Sequence, residues 1–506
     1  TLLMAAGALG AGANPVQQNP LLGEPIIGLP SRMPSSALAV VLTGMGLLVL
    51  AWLLVGRFVR RDAAHRLSPR QLYTTLVLWA LPLSVAPPMF SKDVYSYLAQ
   101  SEIAARGLDP YQLGPAQALG VGNVLTSTVP TIWRDTPAPY GPLFLSLGRG
   151  IAQISGDNLI LGIFLHRLLA IAGVGLLVWA LPRLARRCGV SSTSALWLGV
   201  LNPLVLFHLI SGVHNEALML GLMAAGVELA LAGVTAAGSL TGRPLLLLLA
   251  GSALIAGSAA VKVPSLIALG FVGMALARRW GGGFSAVLRS AALLVGVTAV
   301  VFVALSEGSG LGFGWTGTLS TADTVRSWLS LSTLAGLVAG KAGVALGLGD
   351  HTTAVLTLTR GLGALGATAL GLRMLAAVHA GRIHPFGGLG ITLAGVVVLF
   401  PVVHPWYLLW AAVPLAAWAS ARAYRFAAVA VSAVVSLVVL PNGGNVPPFV
   451  VLQAWIAAVL ALAVVVFWLR RPLGLSEELD GVLRRRARSR THHRAAPEPP
   501  AYPGAS

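Results

Sequence analysis

Polar chemistry is scarce in this chain. Charged residues make up 10% of its 506 positions and hydrophobic residues 56%, against about 25% charged for an ordinary soluble domain. Apolar runs of about 20 residues recur along its length, which excludes a soluble globular fold and predicts an all-α, polytopic membrane protein with about 12 to 14 transmembrane helices. Cysteine is nearly absent: Cys188 stands alone, so neither an intramolecular disulfide nor a thiolate metal cluster can form. There is no Asp-x-Asp pair of the kind metal-dependent enzymes use on nucleotide sugars, and no Gly-x-Gly-x-x-Gly in a βαβ context. Gly336 to Lys341 imitates half a phosphate-binding loop, but its spacing is wrong and Ala342 stands where magnesium needs Ser or Thr. No metal-ligand cluster is visible, and the expectation is a protein without cofactor or metal.

Basic charge is the one excess. Thirty-four Lys and Arg against sixteen Asp and Glu give a net charge of +18. In a soluble protein this would suggest nucleic acid; here the basic residues cluster in short loops and the tail, so they report orientation, and no nucleic-acid partner is expected. Five arginines between Arg57 and Arg70 put the loop between spans at about 37–57 and 70–89 in the cytoplasm. The loop 90–157 then lies outside. Spans near 158–181, 192–210, 214–236, 244–260, 263–277, 284–305, 353–378, 387–403, 406–420, 425–441 and 447–469 satisfy the remaining basic turns if residues 307–350 also stay outside. That second outer segment is expected to hold a re-entrant or surface helix around Trp328 to Leu348. Residues 1–36, which open on Thr1 and not on Met, read as the end of a cut helix and an outer loop. Residues 37–470 form the membrane domain, and 471–506 a basic, Pro-rich cytoplasmic tail expected to be disordered beside the anionic lipids of the inner leaflet.

The carboxylates are few enough to sort individually. Asp62 falls in a cytoplasmic loop, Glu477, Glu478, Asp480 and Glu498 in the tail, and Glu228 inside a span; ten remain for the outer face, among them Asp93, Glu102, Asp157 and Glu216. Asp93 opens the most polar stretch, Ser91 to Tyr111, about one turn past the end of a span. A carboxylate there avoids the roughly 2.5 to 3.5 kcal/mol of a mid-bilayer charge. Read as a helix, 93–106 aligns Asp93, Tyr97 and Gln100 on one stripe and pairs Glu102 with Arg106, with Gly107 as the stop. The structural alternative for Asp93 is an acidic cap; Glu102 reads as a salt-bridge partner.

Other polar groups share that face. Trp133, Arg134 and Tyr140 sit in the same loop, either as interfacial anchors and an Arg134–Asp135 pair or as a sugar and phosphate surface. His214, Asn215 and Glu216 mark a helix N-terminus, where His214 and Asn215 suit a phosphate or sugar hydroxyl and Glu216 serves as a charge complement. Lys262 stands in an apolar stretch before Pro264; an intramembrane lysine reads as functional, here a cation for a lipid-linked phosphate. His404, Trp406 and Tyr407, with Arg326, complete the polar set, although a lone His at a helix end is more often merely hydrogen-bonded. A single site requires Asp93, Lys262, His214 and His404 to lie within about 15 Å of one another.

The segments DVYSYLAQ, GLDPY, PAPYGPL, GVHNEALM and HPWYLLW, following an Asp in the first long outer loop, resemble the GT-C-type, polyprenyl-phosphomannose-dependent α-1,6-mannosyltransferases of actinobacteria, which build the mannan core of lipomannan and lipoarabinomannan. The resemblance runs from about Gly7 to Arg470. It implies a GT-C-like fold in the plasma membrane and an outward-facing site. It also implies a polyprenyl-phosphate-mannose donor, a mannosylated lipid acceptor, and inverting transfer with Asp93 as base. Lys262, His214 and Arg326 are then candidates for the donor phosphate. Tyr95, Tyr97, Trp133, Arg134, Tyr140, Asn215, His404, Trp406 and Tyr407 are candidates for the sugars or prenyl chain. Two alternatives stay open: an arabinofuranosyltransferase using polyprenyl-phosphoarabinose, and a flippase or transporter of lipid-linked sugars, for which Lys262 and Glu228 are the argument.

Overall fold

The computed structural model describes residues 1–15, 19–59, 66–318, 327, 329–443 and 447–469. Every regular element among them is helical. Numbering the helices of ten or more residues, the first part of the chain runs α1 Leu2–Ala11, α2 Pro34–Phe58, α3 Pro69–Val85, α4 Asp93–Ala105, α5 Pro142–Ser155, α6 Leu159–Arg187, α7 Glu216–Thr235 and α8 Arg243–Ala259. The second part runs α9 Ile267–Arg279, α10 Phe284–Gly308, α11 Leu331–Ala345, α12 Thr352–His379, α13 Pro385–Leu399, α14 Leu408–Trp418, α15 Arg422–Val438 and α16 Pro448–Leu469. Among the described residues, α2, α6, α7, α10, α12 and α16 are long and apolar enough to cross a membrane, and α1, α8, α11 and α13 are shorter apolar helices. The chain is an all-α, multi-pass membrane protein.

Helix α7 is the axis of the bundle. Its apolar stretch is 83% buried, against 11% for α16, which lies on the perimeter. Glycines allow this: a Cβ at Gly221 would meet the Gly173 carbonyl oxygen of α6 at 2.3 Å, and one at Gly226 would meet that of Gly251 in α8 at 2.6 Å. Backbone therefore packs on backbone, the close approach that small residues permit between membrane helices.

Expected spans differ in detail. The span expected at 192–210 is broken: a helix Ser192–Gly199 ends before Asn202-Pro203, and Val205–Ser211 is a π-helical turn, because Pro203 has no N–H to continue an α-helix. The span expected at 406–420 starts as a 3-10 turn, Pro405–Tyr407, before α14. The loop 90–157 is largely helical, with α5 beginning at Pro142, a residue suited to a first helical turn. The helix expected around 328–348 is α11, capped by Ser330, whose Oγ accepts from the Thr333 N–H at 3.2 Å. Residues 470–506, the tail, lie outside the described residues.

The two ends of the bundle are chemically distinct. At one end, Arg187 holds Glu228 through two bonds of 2.7 and 2.9 Å, and Arg279 donates to the carbonyls of Val234 and Ala236 at the end of α7, satisfying acceptors that the helix leaves open. Glu228 is thus bound into the arginine-rich face, twelve residues or about 18 Å along α7 from Glu216. At the other end, the buried Arg167 of α6 donates to the carbonyls of Ser84 at 3.0 Å and Ala86 at 2.7 Å, tying down the end of α3 just before Asp93. Arg167→Met should leave these carbonyls unpaired and cost about 2 to 4 kcal/mol, seen as a lower thermal unfolding midpoint of the protein in detergent.

Candidate functional site

Two strained turns bring the polar residues together. Phe90 and Val213 have φ of 69° and 57°, a left-handed conformation that costs a bulky or β-branched residue roughly 1 to 3 kcal/mol. Phe90 is held there by its N–H bond to the Pro441 carbonyl at 2.7 Å and by stacking on Phe207 at 4.7 Å. Three residues later Asp93 opens α4, its N–H bonded to Ser91 Oγ at 3.0 Å. His214 directly follows Val213, and its Nδ1 stands 3.4 Å from Asp93 Oδ2.

Asp93 faces a cavity of about 180 Å³. Gln100, Lys262 and His404 are its other main polar groups, and Trp133, Tyr140, Trp406, Tyr407 and Trp410 give it aromatic walls. The wall at Phe400, Val402 and His404 has no regular backbone of its own. Side-chain hydroxyls fix it instead: Ser330, Ser332 and Thr333, at the start of α11, donate to the carbonyls of Phe400, Leu399 and Pro401 at 2.6, 3.0 and 2.7 Å, and Ser327 to that of Val403 at 2.6 Å.

Behind the cavity lies a charged layer. Lys262, in the turn between α8 and α9, pairs with the fully buried Glu216 and lies over the Tyr407 ring at 4.7 Å. His214 stacks on Trp406 at 3.7 Å, and Trp406 on His404 at 4.5 Å. Burial, reinforced by the neighbouring Glu216, pushes the Asp93 carboxyl up to about 6, against opposing effects of Ser91 and Lys262. Burial holds His404 down at about 4, with Lys262 adding to the effect. It holds His214 well below the usual histidine range, with His208, Lys262 and His404 adding. Near neutral pH the cavity therefore presents neutral imidazoles, a lysine cation and a carboxylate able to exchange a proton.

Of the residues picked from sequence, Asp93, Trp133, Tyr140, Lys262, His404, Trp406 and Tyr407 line this one cavity. Others are placed elsewhere. Tyr95 is fully buried and donates to the Ala13 carbonyl at 2.6 Å, so it supports α1 and touches no ligand space. Tyr97 packs edge-on behind Tyr140 at 5.2 Å, and its Oη accepts from the Asn215 N–H at 3.4 Å; Asn215 is the buried N-cap of α7. The guanidinium of Arg134 is spent on the carbonyls of Ser127 and Val129, at 2.7 and 3.0 Å, and folds its own loop. His214, expected as a phosphate ligand, is fully buried behind Asp93. Arg326 lies outside the described residues. Glu216, read from sequence as a charge complement of its helix, is the counter-ion of Lys262; a buried ammonium demands such a partner, which is the signal that points to it. Trp410, one helical turn after Tyr407, was passed over.

Residues 1–278 match the family model described as alpha-(1->6)-mannopyranosyltransferase, N-terminal domain. This chain belongs to that family. Residues 332–467 match the model described as MptB C-terminal domain. A probable alpha-(1->6)-mannopyranosyltransferase of Mycolicibacterium smegmatis is 49% identical over 99% of this chain and 89% of its own length. An alpha-(1->6)-mannopyranosyltransferase of Mycobacterium tuberculosis is 48% identical over 92% and 85%, and alpha-(1->6)-mannopyranosyltransferase B of Corynebacterium glutamicum 42% over 92% and 79%. No solved structure matches the chain. As a member of this family the protein is a glycosyltransferase, and the cavity is the candidate place for its chemistry.

The raised Asp93 carboxyl has a stability consequence. In the native state its proton is held up to about pH 6, above the ordinary value of 3.8, so the favourable contribution is present below 3.8 and lost as pH rises through 6. Asp93→Asn should unfold at a higher temperature than wild type at pH 8, and the difference should shrink toward pH 4 in parallel melts.

Proposed function

We propose that this protein transfers mannose from a polyprenyl-phosphate-linked donor to a growing α-1,6-mannan lipoglycan at the outer face of the plasma membrane, inverting the anomeric centre, with Asp93 as general base. The observation that carries this reading is the Asp93 carboxylate sharing one aromatic-walled cavity with Lys262.

The acceptor 6-hydroxyl gives its proton to Asp93 as its oxygen bonds to the anomeric carbon. The bond from that carbon to the phosphate oxygen breaks, and its electron pair leaves with polyprenyl phosphate. A carboxyl poised near 6 is ionised at neutral pH yet basic enough to take the proton. His214, neutral, stands 3.4 Å from the carboxylate. Lys262 meets the charge that develops on the leaving phosphate; Glu216 and the Tyr407 face keep the ammonium oriented before substrate arrives. Trp133, Tyr140 and Trp406 offer faces to a sugar ring. At about 180 Å³ the cavity is smaller than the roughly 300 to 1,000 Å³ of typical ligand sites, so it suits one ring, with the prenyl chain left to the membrane.

Orientation follows from charge. The arginines that bind Glu228 and the end of α7 lie at the opposite end of that helix from Glu216, and the positive-inside tendency puts that end in the cytoplasm. A site on the other side sees no cytosolic nucleotide sugar, which suits a donor already activated on a lipid. The transporter alternative loses its argument, since Lys262 and Glu228 sit in separate ion pairs at opposite ends of α7.

Radiolabelled polyprenyl-phosphomannose and a short α-1,6-mannoside, given to purified protein, test the reading. Transfer should survive EDTA, and kcat/KM should rise to a plateau above about pH 6. Asp93→Asn should lower kcat by about 10² to 10⁴, and Lys262→Met by about 10² to 10³. Transfer from polyprenyl-phosphoarabinose in place of the mannose donor would reassign the sugar, and a fully active Asp93→Asn would remove the base.

A further inference from the structure

A second cavity, of about 310 Å³, lies away from the first and is unused by the reaction above. Helices α4 and α5 connect the two. They run side by side in parallel, Tyr97 against Phe144 at 4.9 Å and Ser101 against Gly148, where a Cβ would meet the serine Oγ at 2.2 Å. The first cavity begins at their N-terminal ends, at Asp93 and Tyr140, and runs along one face of α4 as far as Gln100. The second sits at their C-terminal ends, at Glu102 of α4, Arg106 just after it, and Ser155 of α5 just before Asp157 and Asn158. Nine residues separate Asp93 from Glu102, about 14 Å along the helix and about half a turn around it, so a ligand reaching both cavities passes round α4.

The chemistry of this second cavity is that of a hydroxyl-rich ligand. Glu102 and Asp157 supply carboxylate acceptors, while Arg106, bonded to Glu102 at 2.7 Å, offers the remaining donors of its guanidinium. Asn123 and Asn158 use their side-chain oxygens to cap the following helices, accepting from Leu125 and Leu161 at 2.9 and 3.0 Å; their amide nitrogens remain as donors. Two carboxylates against one guanidinium leave the site net acidic, which disfavours a phosphate or an anionic lipid headgroup. Mixed donors and acceptors around about 310 Å³, against about 180 Å³ for one ring, match one to two sugar rings.

Resting on the proposed mannosyl transfer, we infer that this cavity is an acceptor subsite that binds mannose units of the growing chain several rings back from the reacting hydroxyl. The small first cavity takes the terminal ring, and the α4–α5 pair sets the separation between the two.

The test uses the full chain in detergent and the double variant Glu102→Gln, Asp157→Asn, which leaves the first cavity's residues untouched. Initial rates are measured with a two-unit and an eight-unit α-1,6-mannoside. Binding of the eight-unit mannoside without donor is followed by saturation-transfer NMR. The subsite predicts that the variant raises KM for the long acceptor about tenfold, the effect of one lost charge-assisted hydrogen bond, with kcat and the short-acceptor kinetics unchanged and weaker binding of the long mannoside. An unchanged ratio of long to short KM, or no binding of the long mannoside to wild type, overturns it. The binding measurement needs no turnover: a protein inactive with the mannose donor but binding the long mannoside, more weakly in the variant, would sink the proposed reaction and keep the subsite.

Discussion

The ion pair between Lys262 and Glu216 is the constraint around which this end of the bundle is built. Removing one partner of a buried pair leaves an uncompensated charge and costs about 3 to 5 kcal/mol, so the start of α7 and the turn between α8 and α9 are obliged to meet. Other contacts build on that turn. The N–H groups of Gly141 and Leu143, which open α5, bond to the carbonyls of Val261 and Ala260 at 3.2 and 3.0 Å, and a Cβ at Gly141 would meet the Ala260 oxygen at 2.3 Å. Tyr140 is thereby set beside Lys262, and His214, two residues before Glu216, beside Asp93.

Rigidity is distributed unevenly around the cavity. One side is the helical pair α4 and α5, locked by aromatic edge contacts. The facing side, residues 400–404 after the end of α13, has no regular structure, and the carbonyls of 399–401 and 403 are met by the hydroxyls of Ser327, Ser330, Ser332 and Thr333. Each such bond contributes only about 1 kcal/mol net, so this wall can be remodelled at far lower cost than the helices opposite, and it carries His404 with it.

Much of this was legible in the sequence because local rules governed it. The helix 93–105, its Glu102–Arg106 pair and its stop at Gly107, with φ of 72°, follow from spacing and glycine chemistry. Asp93 and Lys262 stood out because charge in so apolar a chain needs a reason. Direction was harder to read. Helical spacing puts Tyr97 on the stripe of Asp93 and Gln100 and Tyr95 off it, but nothing local says that Tyr95 meets the Ala13 carbonyl or that Tyr97 stands behind Tyr140. Helix α5 was missed because a Pro-rich entry and two glycines obscured an amphipathic pattern. Arg134 turns back onto two carbonyls of its own loop, and Glu216, in the first turn of α7 as expected, also meets a lysine 46 positions away that only tertiary structure brings near.

The size of the reaction cavity bears on what the enzyme must not do. At a liquid volume of about 30 Å³ per molecule, 180 Å³ holds on the order of half a dozen waters, and a single sugar ring against Trp133, Tyr140 and Trp406 displaces most of them. Water is the competing nucleophile at any activated anomeric carbon. On the proposed transfer, a chamber filled with sugar would leave Asp93 little but the acceptor hydroxyl to deprotonate, so that fidelity toward chain growth over hydrolysis of the donor would come from occupancy.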